Sequence, residues 1–413
     1  MHLINLCTTS LQKISNNFEV KMKICFFLIS NGWGGAENVV YNLAEKMSKR
    51  NNKISIILND ETYPNFVDLK DVELYNIGNT QNLREIIGKN FKLSLSRIKL
   101  NKKDTERYIR FIIKPIVIYL NYRKMRMKVN RILVEENPDI IHLHNPISLK
   151  IYSYIYKNVK NPSVYTAHGL DFKRKGKLSK RKKRNLMSSF DIITTVSNNL
   201  KNHLYENNVK NKVKFLPNGI DISYFERIRK KNGTDLCKDQ LKIMFPGGIK
   251  ENKGGEILLK SLKEINQDSF NIKLYYSGIN NEEFIRKNNA ENITFTGLLE
   301  HKEYISKLNK CDCLIMASNI EQFPISILEG MALGKIIITT PVGGIPDFCK
   351  NKRNAIYIKR NEKDIKNKIL EIYNNKKLRR DFYLNNIKDI EKYNWDNIID
   401  DYLEIYKEII RKK

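Results

Sequence analysis

From about residue 24 to its end the chain alternates short apolar runs with amphipathic stretches. That alternation leaves few folds open, because strand-helix-strand repeats bury themselves as parallel sheets covered by helices. Strands are expected at 24–30, 53–58, 139–144, 163–167, 191–196 and 213–216, with a helix over 36–49 after the first. The polar stretch 227–239 reads as a linker. The alternation then restarts, with strands at 241–246, 273–277, 293–295, 313–317 and 335–340 and a helix from about 254. Two such runs in 413 residues predict two α/β domains, each long enough for its own core. Ile398, Leu403, Ile405 and Ile409 place an amphipathic helix over 394–411.

Charge narrows the partners. Lys and Arg number 74 against 45 Asp and Glu, a formal charge of +29. Such a balance favours an anionic partner, although the Lys-, Asn- and Ile-rich composition is equally what a coding bias would leave. Nucleic acid ranks last, since no recognition motif or stacking aromatic pattern accompanies the charge. The stretch 84–131 holds fifteen Lys or Arg interleaved with Phe91, Leu93, Tyr108, Phe111 and Tyr119, the composition of a membrane-surface segment or of a solvated basic helix pair. No run approaches the roughly 18 apolar residues of a spanning helix. Met22 opens MKICFFLIS, so 1–21 is expected to be a poorly ordered extension without a signal-peptide core. The six cysteines form no C-x-x-C pair. Cys25, Cys311 and Cys313 sit in or beside apolar runs, which predicts buried thiols and a reducing cytosol.

Chemistry concentrates in EQFPISILE, where Glu321 and Glu329 lie eight apart. A bare pair at that spacing would be two surface glutamates. Here an apolar strand ends at Ala317 and Ser318, and Pro324 stands where a helix begins, a position whose N–H would be unpaired anyway. Glu321 therefore precedes the helix and Glu329 falls about one and a half turns inside it. The free N–H groups at that helix start form a ready anion site. GMALGKIIITTPVGGIPD follows at 330–347. In GGAE at 34–37, paired glycines would let backbone approach a phosphate at another helix start. His168 in TAHGLD sits at a strand's carboxyl end, where open α/β sheets bind ligands. His142 and His144 share one side of a strand with no third ligand evident, and read as cleft lining or core.

The ordered set resembles the retaining glycosyltransferases of family 4. PDIIHLHNP, TAHGLD, VS at 196–197, PNGID at 217–221, FTG at 295–297 and the block 318–347 all fall in that family's order, covering nearly the whole chain from Met22. The resemblance implies the GT-B fold: two facing Rossmann-like domains with parallel sheets and a deep cleft between them. It implies an acceptor-side domain at 22–224 with the basic insertion 84–131, a nucleotide-sugar domain at 225–393, and a helix at 394–413 packing back on the first.

By the same resemblance His168, Glu321 and Lys253 carry catalysis. His168 orients the donor sugar, Glu321 holds it, and Lys253 meets the diphosphate. Gly34, Gly35 and the helix start at Phe323, Pro324 and Ile325 would add backbone N–H groups, Gly297 would lie near the base, and Glu329 would hold the ribose hydroxyls. His144 and Asp171 would face the acceptor. One departure stands out: where the family places an Arg on the diphosphate, this chain has Gly248, also a donor-side position. Lys250 or a lysine of the other domain would have to compensate.

No D-x-D occurs, which fits a family needing no metal, so neither metal nor cofactor is expected. The implied reaction moves a hexose or N-acetylhexosamine from a nucleotide sugar, UDP favoured, to a glycan or polyprenyl-diphosphate-linked acceptor in bacterial surface polysaccharide synthesis. It would run in the cytoplasm, peripheral to the inner membrane face. Attack from the face the leaving group departs is the family expectation, and no second carboxylate nucleophile of the glycosidase kind is visible. DFKRKGKLSKRKKR at 171–184 would hold an anionic lipid acceptor at the cleft rim, or be a solvated loop. Two other readings compete: a sugar-nucleotide epimerase on the same fold, and a weak or inactive sugar-nucleotide-binding scaffold, for which Gly248 speaks.

Overall fold

The computed structural model describes residues 22–30, 34–60, 62–78, 114–153, 159–172, 179–232, 239–266 and 270–413. The extension 1–21, residues 84–113 of the basic insertion and residues 173–178 of the second basic run lie outside the described residues.

Seven strands form the first sheet: β1 Lys23–Leu28, β2 Lys53–Leu58, β3 Val72–Asn76, β4 Ile140–His144, β5 Ser163–Ala167, β6 Ile192–Thr195 and β7 Val213–Phe215, in the order β3-β2-β1-β4-β5-β6-β7. In β1 and β2 every residue after the first is buried, which is how a strand covered on both faces reads. Six strands form the second: β8 Leu241–Phe245, β9 Ile272–Ser277, β10 Ile293–Gly297, β11 Cys313–Met316, β12 Ile336–Thr339 and β13 Ala355–Tyr357, ordered β10-β9-β8-β11-β12-β13. All its pairings are parallel. Strand order reverses between β1 and β4 in one sheet and between β8 and β11 in the other. The loops leaving those strands bound the crevices in which such sheets bind ligands.

Two compact units emerge from backbone proximity. One comprises the described residues of Met1–Tyr165 with Ser189–Asp191 and Tyr406–Lys413, the other Thr166–Ser188 with Ile192–Ile405. In the first, the Tyr406 hydroxyl near the end of helix Trp395–Ile410 lies 2.6 Å from His142 Nδ1. In the second, β8 and β9 meet Leu258, Leu262, Ile365 and Ile369 on one face, while the other packs Leu314 and Ile337 against Ile327, Leu328 and Met331.

Some elements depart from expectation. The stretch read as a linker is helical through Asn232, in helix Ile222–Asn232. Asp221 Oδ1 accepts the Tyr224 N–H at 3.0 Å and the Ser223 hydroxyl at 2.7 Å, which caps the helix, and Phe225 anchors it in the core. Polar composition concealed it because only a narrow stripe is apolar. β3 and β13 escaped notice for the opposite reason. β3 is half-exposed at a sheet edge and β13 is three residues long. No described helix is long and apolar enough to cross a membrane.

Candidate active site

The carboxyl ends of β8 and β11 carry the residues that matter most. After β8, Gly247 lies against the Phe245 ring and Lys253 Cβ, where any side chain would collide. The chain then makes a 3-10 turn, Glu251–Lys253, closed by Gly254 at φ 78°; a Cβ there would strike the Ala317 carbonyl. So the turn presses backbone to backbone on the end of β11. Asn319 N–H donates to Asn252 O at 2.9 Å. Arg360 bridges the two segments, donating from Nε to Ala317 O at 3.1 Å and from Nη2 to Glu251 O.

This stitching delivers Lys253 to Glu321. Its ammonium pairs with Glu321 Oε1, and the Ser318 hydroxyl donates to the same oxygen at 2.9 Å. Lys253, Ser318 and Ser326 line one recess with Pro246, Gly247 and Met316. Ser326 belongs to helix Ile325–Ala332, whose N-cap is Pro324 with no side-chain cap, so its first N–H groups stay available. Glu329 lies three residues on, hence on a neighbouring part of the same helix face. It is buried, and its Oε1 lies 2.7 Å from His301 Nε2. Gly330 beneath it has no room for a side chain between Ile337 and Leu314, which draws the helix onto the sheet.

The glycine pair of VGGIPD also acts here. A Cβ on Gly343 would collide with Glu321 O, and one on Gly344 with Gln322 O. Both glycines let the Glu321–Gln322 loop lie flat on its neighbour. Asp347 then accepts from Asn198 N–H at 2.8 Å and Asn198 Nδ2 at 3.2 Å, while Ser197 donates to Gln322 Oε1 at 3.1 Å. Phe323 turns inward, 4.3 Å ring to ring from Phe348, leaving its backbone at the helix start; its carbonyl accepts from Asn218 Nδ2 at 2.9 Å.

Residues 33–224 match the family described as Glycosyltransferase Family 4, and residues 225–389 match Glycosyl transferases group 1. An uncharacterized glycosyltransferase of Methanocaldococcus jannaschii is 30% identical over 300 residues, covering 70% of this chain and 81% of the relative. The chain belongs to the group 1 glycosyltransferases of family 4. Over a shorter span, 110 residues, it is 30% identical to the N,N'-diacetylbacillosaminyl-diphospho-undecaprenol alpha-1,3-N-acetylgalactosaminyltransferase of Campylobacter jejuni, covering 26% of this chain and 29% of that one. The crystal structure of Anabaena HepE in complex with UDP-glucose superposes with a TM-score of 0.68 at 16% identity, covering 94% of this chain and 100% of that one. The fold is accordingly GT-B, with two Rossmann-like domains.

Gly248 stands where the resemblance implies an Arg on the diphosphate. It sits at φ 55°, and a Cβ would lie 2.8 Å from Ile279 O and 2.9 Å from Ile279 N. Gly278, at φ 123°, meets it from the other side. The loops after β8 and β9 thus cross through a pair of glycines, pinned by Gly248 N–H to Ser277 O at 2.9 Å and by the Tyr276 hydroxyl to Gly248 O at 2.7 Å. Lys250, one of the two expected substitutes, is exposed beside that crossing.

Gly297 ends β10 at φ 68° with open space where a side chain would project, and it accepts Gly278 N–H at 2.9 Å. His168 follows β5, half-buried, and desolvation pushes its pKa down to about 4, so the ring is neutral at ordinary pH. Asp171 is 1% exposed, and its carbonyl accepts Lys183 Nζ at 2.7 Å. In the first unit, Gly34 is the extended N-cap of helix Gly35–Ser48, and Gly35 has nothing within 4 Å of a would-be Cβ. His144 is fully buried, 4.1 Å ring to ring from His142 and 5.8 Å from Phe26. The pair therefore belongs to the core, the second of the two places its spacing left open. Among the described residues no group of three His, Cys, Asp or Glu side chains is placed to hold a metal.

His301 and Arg360 were not singled out by sequence reasoning. A lone His at a helix start and an Arg after a short strand carry no local signal. Each acquires its role from a partner 28 or 109 residues away.

Proposed function

We propose that this chain is a retaining, metal-independent transferase that moves a hexose or N-acetylhexosamine from a UDP-sugar to a lipid-linked or glycan acceptor. The observation that carries the reading is the pairing of Lys253 with Glu321 beside an uncapped helix start, at the strand-order reversal of the second sheet. Departure of the nucleoside diphosphate concentrates negative charge on its terminal phosphate. Lys253 and the N–H groups at Ile325 and Ser326 supply preorganised positive charge for it. Glu321, released from Lys253 when the diphosphate takes that cation, holds sugar hydroxyls, and Glu329 holds the ribose. His168, neutral because it is desolvated, donates a hydrogen bond to the sugar without adding charge. The acceptor attacks from the face the diphosphate leaves, and a departing phosphate oxygen takes its proton. No side chain then has to serve as base.

UDP is favoured because a structural neighbour binds UDP-glucose, and a diphospho-undecaprenol acceptor because a relative is named for one. The membrane side draws on helix Lys114–Glu136, whose described part exposes Arg123, Lys124, Met127, Lys128, Arg131 and Val134. The buried free thiols Cys25, Cys311, Cys313 and Cys349 suit a reducing cytoplasm.

Purified protein with UDP- and GDP-sugars in EDTA tests this directly. Donor hydrolysis or transfer is expected, and Lys253→Met should reduce it by about 100-fold or more, the size of losing one transition-state partner. An inverted anomer in the product by NMR, or abolition by EDTA, would end the reading. The scaffold alternative rests on Gly248. Tight nucleotide binding without turnover would favour it.

A further inference from the structure

Glu329 is held by a residue that the reading above leaves unused. His301 opens helix His301–Asn309, and its Nε2 lies 2.7 Å from Glu329 Oε1. The two partners are unlike: the Glu329 side chain is 9% exposed and that of His301 58%. A walled-in carboxylate is thus gripped by a ring that is itself more than half exposed. One turn along the same helix, the Tyr304 hydroxyl is buried with no hydrogen-bond partner among the described residues, and burial together with the Glu329 charge keeps it protonated. Buried hydroxyls are ordinarily paired. This one feels the charge of the carboxylate assigned to the ribose.

We infer that His301 is a positioning residue for nucleotide binding, fixing the Glu329 carboxylate so that its remaining lone pairs meet the ribose hydroxyls. The inference rests on the reading that Glu329 holds the ribose. A carboxylate offers about four acceptor sites over two oxygens. One hydrogen bond from His301 leaves Oε2 whole and a site on Oε1, enough for two adjacent hydroxyls. Without His301 the carboxylate loses the one side-chain hydrogen bond described for it.

The hold depends on pH. The hydrogen bond to Glu329, helped by charge attraction and opposed by burial, raises the His301 pKa above its ordinary value. The other groups around the carboxylate are Tyr304 on the same helix, and Tyr224 on helix Ile222–Asn232 with Arg227 near it. Both tyrosines are pushed up and stay neutral, so around neutral pH the imidazole is the member that changes charge. Below its pKa imidazolium and carboxylate form a hydrogen-bonded ion pair; above it the neutral ring still donates, without the attraction between opposite charges.

Calorimetric titration of full-length protein with UDP and with GDP, keeping whichever binds more tightly, tests the inference. His301→Ala should weaken binding about tenfold at pH 6.5, the value of one charge-assisted hydrogen bond. His301→Gln should recover part of the loss. The wild-type advantage over His301→Gln should shrink severalfold as pH rises to 8.5, since the nucleotide's own titration is common to both. A 2',3'-dideoxy nucleotide should bind wild type and His301→Ala almost equally. If His301→Ala binds like wild type, or its deficit persists with the dideoxy nucleotide, the inference is overturned. Glu329→Ala separates the two levels. If it weakens binding and His301→Ala does not, only the role of His301 falls. If Glu329→Ala is silent, or wild type binds neither nucleotide, the ribose reading falls and this inference with it.

Discussion

At the scale of single residues, Gly248 and His168 make opposite kinds of statement. Gly248 is glycine because a second backbone occupies its side-chain space, and its φ of 55° adds a cost for most side chains. Restoring the family's arginine should therefore not restore function. Gly248→Arg is expected to cost about 1–3 kcal/mol, the range for a forced left-handed residue, and to leave turnover no higher. Unchanged Tm with faster turnover would show that the crossing loops yield. His168 stores a pH dependence. Its folded pKa of about 4 lies below the ordinary value of 6.5, so between those pH values the unfolded chain binds a proton that the folded chain does not. Its contribution is complete above about pH 6.5 and is lost as pH falls toward about 4. Tm should rise with pH across that window, and less steeply in His168→Gln. Equal slopes in the two proteins would remove the assignment.

At the scale of elements, the turn Glu251–Lys253 is rigid because of what it leans on. Arg360 ties Glu251 O to Ala317 O, and Asn319 N–H ties back to Asn252 O. Arg360→Met removes the bridge while keeping an unbranched apolar stem. The Lys253 turn should then exchange its amide hydrogens faster, and the donor KM should rise several-fold, about what one or two hydrogen bonds are worth. Unaltered exchange at residues 251–254 would show that the glycine approach alone holds the turn. The helix Ile325–Ala332 was readable in advance from Pro324 and the apolar run behind it. The inward turn of Phe323 was not, because its partners Phe348 and Tyr393 come from later elements.

For the whole molecule, the charge of +29 matters chiefly where it is concentrated. Exposed Arg123, Lys124, Lys128 and Arg131 flank exposed Met127 and Val134 on one helix. Vesicles containing anionic lipid should float the protein, and neutral vesicles should not. Each basic side chain near the surface contributes about 1 kcal/mol, so reversing these four charges should weaken flotation strongly, and high salt should as well. Equal flotation on neutral and anionic vesicles would dispose of the membrane surface as a partner.

Sequence periodicity alone determined the α/β class, most strands, and the position of the E-x7-E segment between a strand and a helix. These are local properties: burial on both faces makes a continuous apolar run, and a helix start has its own chemistry. What only the folded chain decided was partnership. β8 and β11 lie side by side although 68 residues separate Lys253 from Glu321. No period in the sequence reports which strands become neighbours. The crossing at Gly248, the grip of His301 on Glu329 and the burial of His144 all depend on that lateral order, which packing of the whole sheet selects.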